Sequence, residues 1–148
     1  MNELTRRDEF SLAGAALRGA PWKAAAITGA AGAATSFGLG AILPGPADLH
    51  WALSLGVALF TLVATVGAVS KPDVSDRVTR NARLWSLRNP WRFALYPGIG
   101  SAVLLYPLNL VLDGDGMIGS AWDGLWGGAI IYLIAGLLTT VFKGRATR

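Results

Sequence analysis

Four long windows of the chain contain no charged side chain and no histidine, and these windows constrain the fold more than any other feature. They cover residues 24–43, 51–70, 93–112 and 124–142. Each is close to the roughly 20 residues that an α-helix needs to cross a hydrocarbon core. Buried helices of soluble proteins are usually shorter and amphipathic. The sequence therefore predicts an all-α integral membrane protein, with four transmembrane helices forming one compact bundle and a single domain over residues 1–148.

The basic residues are confined to three segments of the chain. All 13 lysines and arginines lie before the first window, between the second and third, or after the fourth. The other two connections, 44–50 and 113–123, contain no lysine or arginine and carry aspartates instead. By the positive-inside rule, both termini and the loop 71–92 are expected in the cytoplasm, with 44–50 and 113–123 outside. We accordingly expect the protein in the plasma membrane.

A pair of arginines near the start leaves one alternative open, because a twin-arginine export signal begins in this way. Here Asp8 and Glu9 separate Arg6 and Arg7 from the hydrophobic residues that should follow directly. Three further apolar windows also follow the first. We therefore interpret the two arginines as cytoplasmic anchors of the first span.

The first window is made mostly of alanine and glycine. At the helical repeat, its small residues form one strip that lets another helix backbone approach closely. Gly124 and Gly128 repeat this spacing in the fourth window. We expect helix packing here, either within the chain or between copies. The first-window strip contains Ala25, Gly29, Gly32, Ala33, Ser36 and Gly40.

The third window is irregular because it contains two prolines. A proline inside a helix lacks a donor N–H and frees the carbonyl four residues earlier, which kinks the helix. A kinked span could line a polar cavity, and the candidate lining residues are Ser101, Tyr106, Pro107 and Asn109. The simpler interpretation is that Pro97 lies harmlessly in the first turn and that Pro107 bends a packed helix.

The basic loop between the second and third windows predicts a short amphipathic helix over residues 75–89. Ser75 is its expected N-cap, and its apolar edge holds Val74, Val78, Ala82 and Trp85. The arginines Arg77, Arg80, Arg83 and Arg88 lie on the flanks and the far side. This pattern is typical of a helix at the inner membrane interface, with its arginines against anionic headgroups. Nucleic-acid binding is the weaker hypothesis, so we expect no nucleic-acid partner.

The sequence contains few groups that could carry chemistry. It has no cysteine and one histidine, His50, which lies at the outer end of the second window near Asp48. We find no nucleophile motif, phosphate-binding loop or metal-ligand helix. A metal site or a catalytic acid or base built on His50 remains a minor alternative. We expect no cofactor, no resident metal and no enzymatic activity.

These patterns favour a non-catalytic multi-pass membrane protein that acts as an accessory, assembly or regulatory subunit. It would bind a membrane-protein partner or further copies of itself by helix packing, in a bilayer with anionic lipids on the cytoplasmic side. The alternative hypothesis is a pore-forming, holin-like protein or a small transporter or flippase subunit lined by the third span. The absence of charged residues within the spans argues against a proton-coupled pathway.

Overall fold

The computed structural model describes residues 3–44, 46–70, 77–114 and 116–146, with side chains described between residues 7 and 144 of these ranges. All the regular secondary structure in these residues is helical. The helices are α1 (Glu3–Arg18), α2 (Trp22–Ile42), α3 (Leu49–Ser70), α4 (Arg77–Arg88), α5 (Pro90–Leu112) and α6 (Gly116–Ala146). Four of them, α2, α3, α5 and α6, are long and apolar enough to cross a membrane. The prediction of an all-α protein with four helices long and apolar enough to span a membrane is confirmed.

All four spanning helices begin earlier than the uncharged windows indicate, and the difference is largest for α5 and α6. α5 starts at Pro90, because proline fits the first turn of a helix, where its missing N–H costs nothing. α6 starts at Gly116, so most of the expected outer loop 113–123 is helical. A single aspartate at position 123 does not interrupt a helix. With 31 residues, α6 is about 46 Å long and exceeds a hydrocarbon core of about 30 Å.

The segment between α3 and α5 contains a helix, as expected from the spacing of its apolar residues. α4 covers Arg77–Arg88. The predicted N-cap Ser75 falls in 71–76, outside the described residues, as does Asp115 in the opposite connection. Ala82 is fully buried, whereas Val78 on the expected apolar edge is more than half exposed.

The N-terminal helix α1 was not expected from the sequence. Its buried residues are the alanines Ala13, Ala15 and Ala16. α1 packs on α4 and on the end of α3. Because alanine buries little area, a face made of alanines gives only a weak hydrophobic periodicity. The acidic residues next to Arg6 and Arg7 also make the segment resemble a polar leader.

The four spanning helices form two antiparallel hairpins, α2–α3 and α5–α6. Each hairpin starts at the end of the bundle where α1 and α4 lie, which we call the basic end. Each turns at the opposite end, called the acidic end, where residues 43–49 and 113–116 connect the helices. The main apolar cluster lies at the basic end and joins α1, α2, α3, α4 and α5, with Phe93 as its largest fully buried side chain.

The order of elements is repeated along the chain. A polar helix is followed by a proline, a tryptophan, a basic residue and a hairpin, first in α1–α3 and again in α4–α6. Ala13 of α1 and Ala82 of α4, at equivalent positions, are both completely buried. Because both hairpins run in the same direction, the two halves are parallel repeats, an arrangement also found in transporters.

Candidate functional site

Each hairpin is closed by a pair of glycines that bring the two backbones together. A Cβ atom at Gly29 would lie 2.7 Å from the carbonyl oxygen of Gly56. In the second hairpin, a Cβ atom at Gly128 would lie 2.6 Å from the carbonyl oxygen of Gly98. No side chain fits in either seam, so close backbone packing requires these glycines. The small-residue strips identified in the sequence include Gly29 and Gly128 but not their partners, Gly56 and Gly98.

The tryptophans that open each hairpin make equivalent contacts. The ring of Trp22 packs on Phe60 with 5.9 Å between centroids, and Trp91 packs on Tyr132 with 5.6 Å. Each tryptophan directly follows a proline and precedes a lysine or arginine. This repeated triplet is the sequence signal that could have revealed the two halves.

The remaining residues of the two glycine strips have more varied surroundings. A Cβ atom at Gly32 would meet the flexible end of Leu59 of α3, and Ser36 is half-buried. Gly40 lies near the hairpin turn, where a Cβ atom would be 3.3 Å from the Cα atom of Ala47. Gly124 lies against α5, with its Cβ position 3.1 Å from the carbonyl oxygen of residue 102.

The two hairpins differ in how much protein covers them. α5 packs on α3 in addition to its hairpin partner α6. α2 packs on α3, and among the described residues it has no other extensive helix contact. Only 11% of the apolar window of α2 is buried, the smallest share of the four spans, and its mean hydropathy of 1.4 is also the lowest. α2 is therefore covered by protein over less of its surface than α5 is.

The uncovered face of α2 has an unusual composition. Opposite its seam with α3 it presents the small exposed side chains of Ala31 and Ala34, with the exposed Ile27 one turn before them, and a Cβ atom at Gly38 would meet nothing within 4 Å. The lipid-facing side of α5 instead carries large exposed aliphatic residues such as Ile99 and Val103. Small residues are enriched where transmembrane helices pack on each other.

The candidate cavity residues of the third span are separated by the fold. α5 is one continuous helix that contains both prolines. Because it begins at Pro90, Pro97 lies in its interior and not in its first turn as expected. Ser101 is fully buried, and its hydroxyl has no hydrogen-bond partner among the described residues. Tyr106 is half-buried and Pro107 is exposed. Asn109 is 3% exposed and belongs to a polar contact at the acidic end.

That polar contact joins three helices near the acidic end. The side-chain amide of Asn109 on α5 lies 2.7 Å from Nε2 of His50 on α3. With its nitrogen toward the imidazole, the amide donates to His50 Nε2, and its oxygen lies 3.3 Å from the backbone nitrogen of Gly124 on α6. His50 Nδ1 is 3.8 Å from a carboxylate oxygen of Asp113. This cluster clamps α5 to α3.

The clamp has no counterpart in the other half of the bundle. The position equivalent to Asn109 on α2 is Gly40, which has no side chain, and the position equivalent to His50 on α6 is Trp122. A bridge between α2 and α6 therefore cannot form in the same way. This difference explains why α5 is held against the neighbouring hairpin and α2 is not.

The acidic residues near His50 have structural contacts. Asp48 accepts a hydrogen bond of 3.0 Å from the backbone N–H of Trp51 and so caps the start of α3. Within the ranges the structure describes, no three His, Cys, Asp or Glu side chains come close enough to hold a metal ion.

The arginines of α4 differ in their surroundings. Arg77, Arg80 and Arg88 are exposed. Arg83 is half-buried, and its Nε donates a 2.6 Å hydrogen bond to the carbonyl oxygen of Val69 in the last turn of α3. It thereby satisfies a carbonyl that the helix end leaves without a partner. Trp85 is half-buried and lines a cavity between α1 and α5.

The α1 helix also contacts the start of α5. Glu9 forms an ion pair with Arg92, and Phe10 packs edge-on against Tyr96 with 5.8 Å between ring centroids. These contacts were missed because α1 itself was not expected.

Comparison with protein-family models, with curated proteins and with solved structures finds no match to this chain.

Proposed function

We propose that the protein is a non-catalytic accessory or assembly subunit that binds another membrane protein through the uncovered face of α2. The proposal assigns it no reaction, cofactor or resident metal. The partner would contribute a transmembrane helix that packs in the membrane against α2.

The observation that carries the proposal is the composition of that face. Small residues bring no advantage on a helix surface that contacts lipid, because lipid tails also accommodate large aliphatic side chains. Small residues instead let two backbones approach closely. Ala31, Ala34 and Gly38 lie opposite the seam with α3, on a face that no other described helix covers to any large extent. The face therefore fits a protein partner better than it fits lipid.

The test is photo-cross-linking in intact membranes. A photoreactive amino acid at Ala34 is expected to cross-link to a discrete membrane protein, because this position lies on the uncovered face. The mass of the product distinguishes a second copy of the chain from a different protein. The measurement is gel electrophoresis followed by mass spectrometry of the cross-linked band.

The matched control is Val103, which occupies the equivalent position on α5 and is 65% exposed. A photoreactive group there is expected to react mainly with lipid. Ala34→Trp should abolish the protein product from a photoreactive group at Ala31, and Val103→Trp should not. Products from Ala34 that are only lipid adducts would refute the proposed function.

We infer that the basic end faces the cytoplasm and that the protein resides in the plasma membrane. The basis is the confinement of every lysine and arginine to the termini and the 71–92 segment. In this orientation both chain termini are cytoplasmic, and the connections between the paired spans face outward. The exposed arginines Arg77, Arg80 and Arg88 would contact anionic headgroups, with Trp85 at the interface.

Single cysteines test this orientation, since the chain contains none. An impermeant thiol reagent applied to intact cells is expected to label Asp115→Cys and to leave Arg80→Cys unlabelled. After cell lysis both positions should react, which controls for accessibility. Labelling of Arg80→Cys alone in intact cells would show that the protein has the opposite orientation.

A pore-forming or small transporter subunit is the second candidate function. Two observations favour it, namely the parallel repeat and the buried Ser101 hydroxyl, which lacks a partner among the described residues. In that case, cross-linking from Ala34 should yield either lipid alone or a ladder of homo-oligomers.

A further inference from the structure

A cavity between α1 and α5 at the basic end opens into an apolar groove. Its lining residues are Glu9, Phe10, Trp85, Arg92, Leu95, Tyr96 and Ile99. Leu95 and Ile99 also line the open groove between α5 and α6, which continues along Gly98, Ala102 and Gly128. The charged mouth of the cavity therefore adjoins an apolar groove on the outer surface of the second hairpin.

The mouth of the cavity contains one complementary ion pair. A carboxylate oxygen of Glu9 accepts a hydrogen bond from Nη1 of Arg92, and the two side chains are 21% and 52% exposed. Arg92 makes no other hydrogen bond to the part of the chain that the structure describes, so its other N–H groups remain available. Trp85 and Tyr96 line the same cavity, and the indole N–H and the phenol hydroxyl are further donors.

We propose that this cavity binds one phospholipid whose headgroup carries both a phosphate and a primary ammonium group, as in phosphatidylethanolamine. The Arg92 guanidinium binds the phosphate, because its planar donors match phosphate oxygens. The Glu9 carboxylate accepts hydrogen bonds from the ammonium group. An acyl chain lies in the groove along Leu95 and Ile99, and Trp85 and Tyr96 lie at headgroup depth, where such side chains are enriched.

The charges at the mouth select this lipid over the common alternatives. Glu9 and Arg92 cancel each other in formal charge, so a zwitterionic headgroup pairs both of them. A phosphatidylglycerol headgroup carries a negative phosphate and no ammonium group. Glu9 would then face a second negative charge and gain no hydrogen-bond donor from the lipid. A phosphatidylcholine headgroup has a quaternary ammonium, which has no N–H to donate to Glu9.

Native mass spectrometry of the full-length protein tests the proposal. The probes are phosphatidylethanolamine, phosphatidylcholine and phosphatidylglycerol with identical acyl chains, titrated into detergent. We expect one phosphatidylethanolamine per chain, bound with a Kd about tenfold below those of the other two lipids. Glu9→Gln should remove this preference, and Arg92→Gln should weaken all three. Lys23→Gln is the matched control, because the exposed Lys23 is the equivalent residue of the first half.

A second variant tests the groove without touching the ion pair. Ile99→Trp fills the groove and is expected to weaken phosphatidylethanolamine binding about fivefold or more. Val103→Trp, on the same helix outside the groove, should not weaken it. This comparison also holds if Glu9→Gln detaches α1. Equal binding of all three lipids to the unmodified protein, a preference retained by Glu9→Gln, or an unchanged Kd in Ile99→Trp would each overturn the proposal and leave only non-selective annular lipid.

Discussion

Phe93→Ala is expected to lower the free energy of unfolding by about 3 kcal/mol, because it empties space in the main cluster of the bundle. Phe93 is the largest fully buried side chain and is 0% exposed. In a membrane protein the loss comes mainly from packing, since lipid is as apolar as the core. Thermal unfolding in mild detergent measures this loss as a lower Tm.

The matched control is Leu104→Ala on the same helix, where the leucine is 46% exposed toward the surrounding lipid. It removes a large apolar side chain without opening a protein cavity, so a loss below about 1 kcal/mol is expected. Phe93 shares its cluster with Ala15 and Ala16 of α1. Phe93→Ala should therefore also speed tryptic cleavage after Arg18, and equal cleavage rates in both variants would contradict this assignment of the core.

Gly128→Ala is expected to lower the free energy of unfolding by about 2 kcal/mol, although alanine is the better helix former. The new Cβ atom would lie 2.6 Å from the carbonyl oxygen of Gly98 and 2.8 Å from the side chain of Ala102. Both neighbours are part of the helix itself and cannot rotate away. α5 and α6 would have to separate, and a lower Tm in detergent would report that separation.

Gly100→Ala adds the same methyl group where nothing lies within 4 Å of it. This variant is expected to leave stability unchanged or to raise it by about 0.5 kcal/mol, because alanine favours the helix. Gly32→Ala should fall between the two, since it meets only the flexible end of Leu59. Equal Tm values for Gly128→Ala and Gly100→Ala would show that the seam is looser than described.

The membrane class and the number of spans could be read from the sequence because each depends on local composition. An uncharged stretch of about 20 residues has few alternatives to a spanning helix. The α4 helix was also accessible, because its apolar residues Val78, Ala82 and Trp85 recur at the helical period. The starts of α5 and α6 were less accessible, since Asp123 and Pro90 are compatible with either a loop or a helix.

Only the tertiary structure decided which small residues meet. The strip on α2 predicts close packing, but many glycines in the chain could serve as its partner, and the choice of Gly56 depends on the hairpin geometry. The same holds for Asn109, whose contact with His50 joins residues far apart in sequence. Helix propensity and periodicity act over a few residues and carry no information about such pairs.

The sequence by itself therefore determined that this chain has four helices able to cross a membrane, and where its positive charges lie. The tertiary structure decided that α1 packs on α4, that the two halves repeat the same glycine and tryptophan contacts, and that α2 keeps one face uncovered. The physical reason is that insertion into lipid depends on the hydrophobicity of each segment alone. Helix association depends on the shapes of two surfaces, which become defined only when both helices are in place.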